Sequence, residues 1–155
     1  MRMNAVGSRN ASGFTLIEVM VSIVVLAFGL LGFALLQTLT VRYSQSAAYK
    51  TQATNLGYSL LDDMRANRLS AAQYAGAATF AQGSIAAGTC AASTGTVSVT
   101  AVATSWKCDV VKALGEQAGA TVTYVNGVAT VSITWGERVR VGENPNTTFE
   151  AESRL

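Results

Sequence analysis

The sequence predicts an α+β chain in which one long amino-terminal helix precedes a small antiparallel sheet. Three observations carry this. Phe14 to Leu36 is a run of 23 residues whose only charge is Glu18. No proline interrupts the chain from Phe14 to Arg68, and apolar residues beyond the run recur at spacings of three and four. Near the other end, Asn126-Gly127 separates two runs that alternate apolar with polar residues, the strongest short-range hairpin signal.

Composition narrows the function classes. At 155 residues the chain is one domain's worth, and half of it is hydrophobic. Only 13% is charged, about half the globular average, which excludes a solvated, disordered chain. Eleven basic against nine acidic side chains give +2, too little and too dispersed for an electrostatic nucleic-acid footprint. With no histidine, the chain has no imidazole general base and no His-ligated metal.

The first element is the apolar run. About 20 such residues cross a bilayer's hydrocarbon core, and a domain this small would struggle to surround a helix apolar on every side. Residues 1–13 carry Arg2 and Arg9 and no acid, so the start of the chain is expected in the cytoplasm and its bulk outside. Beyond the bilayer, Leu36, Leu39 and Tyr43, then Ala53, Leu56, Leu60 and Met64, continue the helical spacing. Asp62, Asp63, Arg65 and Arg68 mark its wet end. The expectation is one helix from Phe14 to Arg68, about 55 residues and roughly 80 Å long.

From Ser70 to Gly95 the chain is rich in Ala, Gly, Ser and Thr, and reads as a loop region with a short helix weighed at residues 71–82. Val99, Val102, Trp106, Val110 and Leu114 predict a second helix running to Gln117. Its start is ambiguous, because Thr96 to Thr104 alternates like a strand. Residues 120–125 and 128–135 form the hairpin, with Val131, Ile133 and Trp135 on one face toward the long helix. Core packing for Trp135 outweighs an exposed stacking role. Residues 147–153 read as a last edge strand.

The front of the apolar run carries a sharper signal. Gly13-Phe14-Thr15-Leu16-Ile17-Glu18, behind a short basic leader, resembles the cleavage and methylation motif of type IV pilins and type II secretion pseudopilins. The resemblance implies a pilin-like fold and a prepilin peptidase that cuts between Gly13 and Phe14 and N-methylates Phe14. It also makes Glu18 the family's assembly glutamate. Ordinary signal-peptide cleavage at Ser44-Gln45-Ser46 is the alternative, but the apolar run is too long for it. Loss of the leader takes Arg2 and Arg9 with it, leaving nine basic and nine acidic side chains, so electrostatics is not the main means of association. Leu26 to Gln37 and Ser44 to Arg68 are further similar to the PilV branch of minor pilins. Gly29 and Gly32 are the weak points of this helix, each costing about 1 kcal/mol of propensity.

The resemblance divides the chain into a leader (1–13), a transmembrane and filament-core helix (14–36), the outer half of that helix (37–69) and an α+β head (70–155). It implies a minor pilin that primes pilus assembly, with other minor pilins, a pilus tip adhesin, the major pilin and, before assembly, inner-membrane lipid as partners. A secretion pseudopilin and a DNA-binding or adhesive pilin are the alternatives. For DNA, Lys107, Lys112, Arg138 and Arg140 supply few cations.

Cys90 and Cys108 are the only cysteines. In an exported head such a pair reads as a disulfide, with two buried thiols as the alternative. Their separation excludes a C-x-x-C motif. No cofactor is expected. Asp109 and the loop Glu143 to Asn146 have metal-ligating types but no motif spacing, and no nucleophile, phosphate-loop or paired-carboxylate pattern points to catalysis.

Overall fold

The computed structural model describes residues 13–90, 98–137, 142 and 144–155. Residues 1–12 of the leader with Arg2 and Arg9, the positions Thr96 and Val97, and Arg138, Arg140 and Glu143 lie outside them. The elements are helix α1 (Leu16–Ala66), α2 (Ala71–Ala78), α3 (Val99–Leu114) and strands β1 (Gly119–Val125), β2 (Val128–Gly136) and β3 (Asn146–Arg154). A long apolar amino-terminal helix with a three-stranded antiparallel sheet is an α+β arrangement that fits the pilin-like fold. The chain divides into two compact units, one ending at Tyr43 and the other Ser44–Leu155.

In the first unit the helix is long and apolar enough to cross a membrane, and no residue of its apolar stretch is buried within the protein. Only Leu39 is half-buried among residues 13–43. Its hydroxyls are satisfied by the helix's own carbonyls: Ser22 Oγ donates to Glu18 O at 2.7 Å, Thr38 Oγ1 to Ala34 O at 3.1 Å and Thr40 Oγ1 to Leu36 O at 2.9 Å. Polar groups bonded within one segment are what hydrocarbon tolerates. The helix runs unbroken through Gly29 and Gly32.

The second unit holds the core. Beyond Ser44 only a stripe of α1 is buried: Ala53, Gly57, Leu60, Leu61 and Met64; of the expected positions Leu56 is only half-buried, and Gly57 and Leu61 join the others. Facing it are Val131, Ile133 and Trp135 of β2, all fully buried, with Ala120 and Val122 of β1. Tyr74 of α2 and Trp106, Val110 and Leu114 of α3 close the remaining sides. Trp106 Nε1 donates to Leu56 O at 2.8 Å, tying α3 to α1. Trp135 is a core residue; its Nε1 reaches Glu137 Oε1 at 3.0 Å.

Five helix boundaries differ from the sequence expectation, the first being the start of the long helix at Leu16 rather than Phe14. The long helix stops at Ala66 rather than Arg68, because Asn67 leaves helical geometry (φ −122°, ψ 51°) and both its N–H and its side-chain amide bond back to Asp63 O. The strand-like alternation before Thr104 is helix from Val99 onward: Ser98 Oγ caps it by accepting from Ala101 N at 3.2 Å. That helix ends at Leu114, not Gln117, where Gly115 takes φ 95°. The weighed helix at 71–82 forms only over Ala71–Ala78.

In the hairpin, Asn126 (φ 52°) and Gly127 (φ 79°) both take the left-handed conformation a two-residue primed turn requires. That fixes the register Val125↔Val128 through Gly119↔Thr134. β3 pairs antiparallel with β2 from Val128↔Arg154 to Gly136↔Asn146, one residue longer at each end than expected.

Gly57 faces the ring of Phe149 on β3: a Cβ there would lie 2.6 Å from Phe149 Cε1. Gly57→Val is therefore expected to cost about 1–3 kcal/mol through overpacking, and Phe149→Ala in the same chain to recover part of it, read by urea unfolding in detergent. A second expectation concerns pH. Burial, with Asp62 adding a like charge, pushes the Asp63 carboxyl above its ordinary value. A raised folded-state pKa favours the fold while the group is protonated, and that contribution is lost as pH rises through the folded value. Asp63→Asn should raise Tm at neutral pH, with the difference shrinking as pH falls through the carboxylate range.

Candidate processing and assembly site

The helix entrance is built from residues 13–18. Gly13 to Thr15 precede the first helical residue, and Thr15 O accepts from the backbone N–H groups of Glu18 and Val19 at 3.1 and 3.3 Å. Thr15 Oγ1 also accepts from Glu18 N at 3.3 Å. Thr15-x-x-Glu18 thus supplies one half of a capping box, in which the hydroxyl satisfies an orphan N–H of the first turn. The T-x-x-E spacing was readable in the sequence as a helix start, a role distinct from the one the family resemblance gives Glu18.

Gly13, Phe14 and Glu18 are all exposed, Phe14 by 80%. Phe14 and Glu18 share one shallow face of the helix with Val19, Ser22, Ile23 and Leu26. In that setting Glu18 is the single charge on an otherwise apolar surface, and a carboxylate inside a membrane costs about 2.5–3.5 kcal/mol at the helix centre and less near its end. A Cβ on Gly13 would meet nothing within 4 Å, and Gly13 does not take a left-handed conformation. Nothing among the described residues calls for glycine there.

The cysteines belong to the other unit. Cys90 follows a short 3₁₀ turn (Ala87–Thr89), Cys108 is on α3, and the two are joined with S–S 2.10 Å and Cα–Cα 5.5 Å. The same loop is pinned again where Gly83 N donates to Glu116 O at 3.1 Å, Gln82 Nε2 to Gln117 O at 2.9 Å and Ala87 N to Glu116 Oε1 at 3.0 Å. Gln82, Glu116 and Gln117 carry no local pattern, and the sequence reading missed them.

At the end of α1, Arg65 Nη1 pairs with Asp62 Oδ1 at 2.6 Å, and Arg65 Nη2 donates to Ser153 Oγ of β3 at 2.7 Å. Both side chains of the ion pair are largely exposed, so it adds at most about 1 kcal/mol. Lys112 and Asp109 are exposed on α3 and Lys107 is half-buried. Among the described residues no three Cys, Asp or Glu side chains cluster as metal ligands.

Residues 8–34 match the family model of the prokaryotic N-terminal methylation motif. No curated protein and no solved structure matches the chain. The match covers the apolar run except Leu35 and Leu36, with the residues just before it, and takes in Gly13, Phe14 and Glu18.

The bond between Cys90 and Cys108 closes a loop with a sequence separation of 18, for which chain entropy gives about 3 kcal/mol. Cys90→Ala/Cys108→Ala is expected to lose roughly that much in denaturant unfolding, and reduction of the wild-type chain to lose a similar amount. An unchanged midpoint in both would show that the hydrogen-bonded tethers hold the loop without it.

Proposed function

We propose that the chain is a minor pilin of the type IV pilus, of the PilV kind, which primes pilus assembly within a tip complex of minor pilins. The observation that carries this reading is the motif Gly13 to Glu18 at the entrance of a membrane-length apolar helix. Prepilin peptidase is the first partner: it cuts between Gly13 and Phe14 and methylates Phe14. Among the described residues nothing needs glycine at 13, which supports this, since a bare backbone there suits an external binding groove. The precursor crosses the inner membrane once, with its start cytoplasmic and its head periplasmic. Residues 14–36 become filament core, 37–69 carry the helix outward, and 70–155 form the head. Other minor pilins, the tip adhesin and the major pilin are its filament partners.

Glu18 acts in assembly through charge. Cleavage creates an amine on Phe14, four residues before Glu18 and just ahead of the helix, and methylation leaves it protonatable. A neighbouring subunit's amine that seeks Glu18 neutralises both charges in an apolar filament and sets the axial register between subunits.

Two substitutions test the reading. Gly13→Val should leave an uncut precursor in the membrane and abolish pili, whereas wild-type protein should begin at methylated Phe14 by mass spectrometry. A mature terminus at Ala47 would establish ordinary signal-peptide cleavage instead. Glu18→Ala and Glu18→Gln separate charge from capping, because glutamine serves a capping box as glutamate does. If the charge sets register, both variants should be cleaved, inserted and nearly equally deficient in piliation. A normal Gln variant beside a defective Ala variant would assign Glu18 to the helix cap.

A further inference from the structure

The sheet has two edges, and they are treated differently. The β1 edge is closed: Phe80 N donates to Ala120 O at 2.9 Å and Ala120 N returns a bond to Phe80 O at 3.0 Å. Beside them, Thr79 Oγ1 accepts from Val122 N at 2.9 Å. An incoming strand finds these positions taken.

The β3 edge is open. Val125 and Val128 flank the two-residue turn and bond to each other, so the odd-numbered residues of β2 turn their backbone groups toward β3. Two bonds beyond the strand ends keep the same parity: Leu155 N donates to Gly127 O at 2.8 Å and Glu137 N to Pro145 O at 2.7 Å. On β3, therefore, Thr147, Phe149, Ala151 and Ser153 are spent on β2, while Thr148, Glu150 and Glu152 aim N–H and C=O outward. Among the described residues these outward groups meet no partner.

Edges are ordinarily blunted by proline, bulges, short length or charge. β3 is nine residues long, has neither proline nor glycine, and runs in unbroken register with β2. Charge is the device left: Glu150 and Glu152, both exposed, supply it on consecutive outward positions, with exposed Arg154 at the strand's last one. Such a guard is selective. A strand with lysine or arginine at alternate positions meets each glutamate across the new pair, whereas a second copy of the chain brings glutamates toward glutamates in the register that opposes Glu150 to Glu152.

We propose that the β3 edge receives an extended segment of a different protein, carrying basic residues at alternate positions, by strand addition. Main-chain bonds to Thr148, Glu150 and Glu152 hold the segment, and the two carboxylates select it.

The test uses the full chain in non-ionic detergent and two ten-residue peptides, one alternating lysine with valine and one alternating glutamate with valine. Amide hydrogen exchange is followed residue by residue. The lysine peptide should slow exchange at Thr148, Glu150 and Glu152 about tenfold, and the glutamate peptide should leave it unchanged. Glu150→Lys/Glu152→Lys, which alters only exposed side chains, should reverse the preference. Equal slowing by both peptides, or no slowing at these three amides in the wild-type chain, would overturn the proposal. So would sedimentation of the peptide-free chain as a dimer that the double substitution dissolves, because the edge would then belong to a second copy.

Discussion

The inner face of β2 is the constraint on which the head depends. Val131, Ile133 and Trp135 are fully buried, and a three-stranded sheet cannot cover its own apolar side. Burying side chains of this size contributes about 1.5–3 kcal/mol each, but only where another element seals the face. The stripe from Ala53 to Met64 on α1 does so, with α2 and α3 filling the flanks. The geometry of the seal explains Gly57: the helix approaches β3 so closely that Phe149 occupies the space a side chain would need. It also explains the reach of Arg65 to Ser153, which bridges helix and strand at the rim of the same contact.

Elements whose signal is local were legible in the sequence. The hairpin was, because Asn126 and Gly127 are residue types that accept positive φ and the flanking runs alternate without interruption. The stripe on α1 was, because three- and four-residue spacing maps directly onto one helix face. The boundaries were less so. The end of α1 depends on Asn67 folding its amide back onto Asp63 O, and the start of α3 on Ser98 winning over an alternation that reads equally well as a strand. What could not be read was long-range. The tethers from Gln82, Gly83 and Ala87 to Glu116 and Gln117 join residues about thirty positions apart with no spacing rule between them. The closure of one sheet edge by Phe80 is of the same kind.

The candidate site behaves in the opposite way. Residues 13–18 were the clearest motif in the chain, yet the protein makes little use of them internally beyond the Thr15 cap. A Cβ on Gly13 would meet nothing among the described residues, Phe14 is open, and Glu18 is the one charge among apolar neighbours. Where fold and packing leave residue identity free, a specific sequence reflects demands made by surroundings and partners, which is why a motif and not a periodicity revealed it. The cysteine pair lies between these cases: its types and compartment were readable, whereas its placement between a 3₁₀ turn and α3 was not.

The two tryptophans have a consequence of their own. Trp106 and Trp135 are the only ones in the chain, and both are buried in the head with their indole N–H groups bonded. The apolar half of α1 contains none. Intrinsic fluorescence excited at the indole band is therefore a signal from the head core alone. The apolar half of α1 adds nothing to it, and a red shift in emission reports the opening of the head core around α3 and β2.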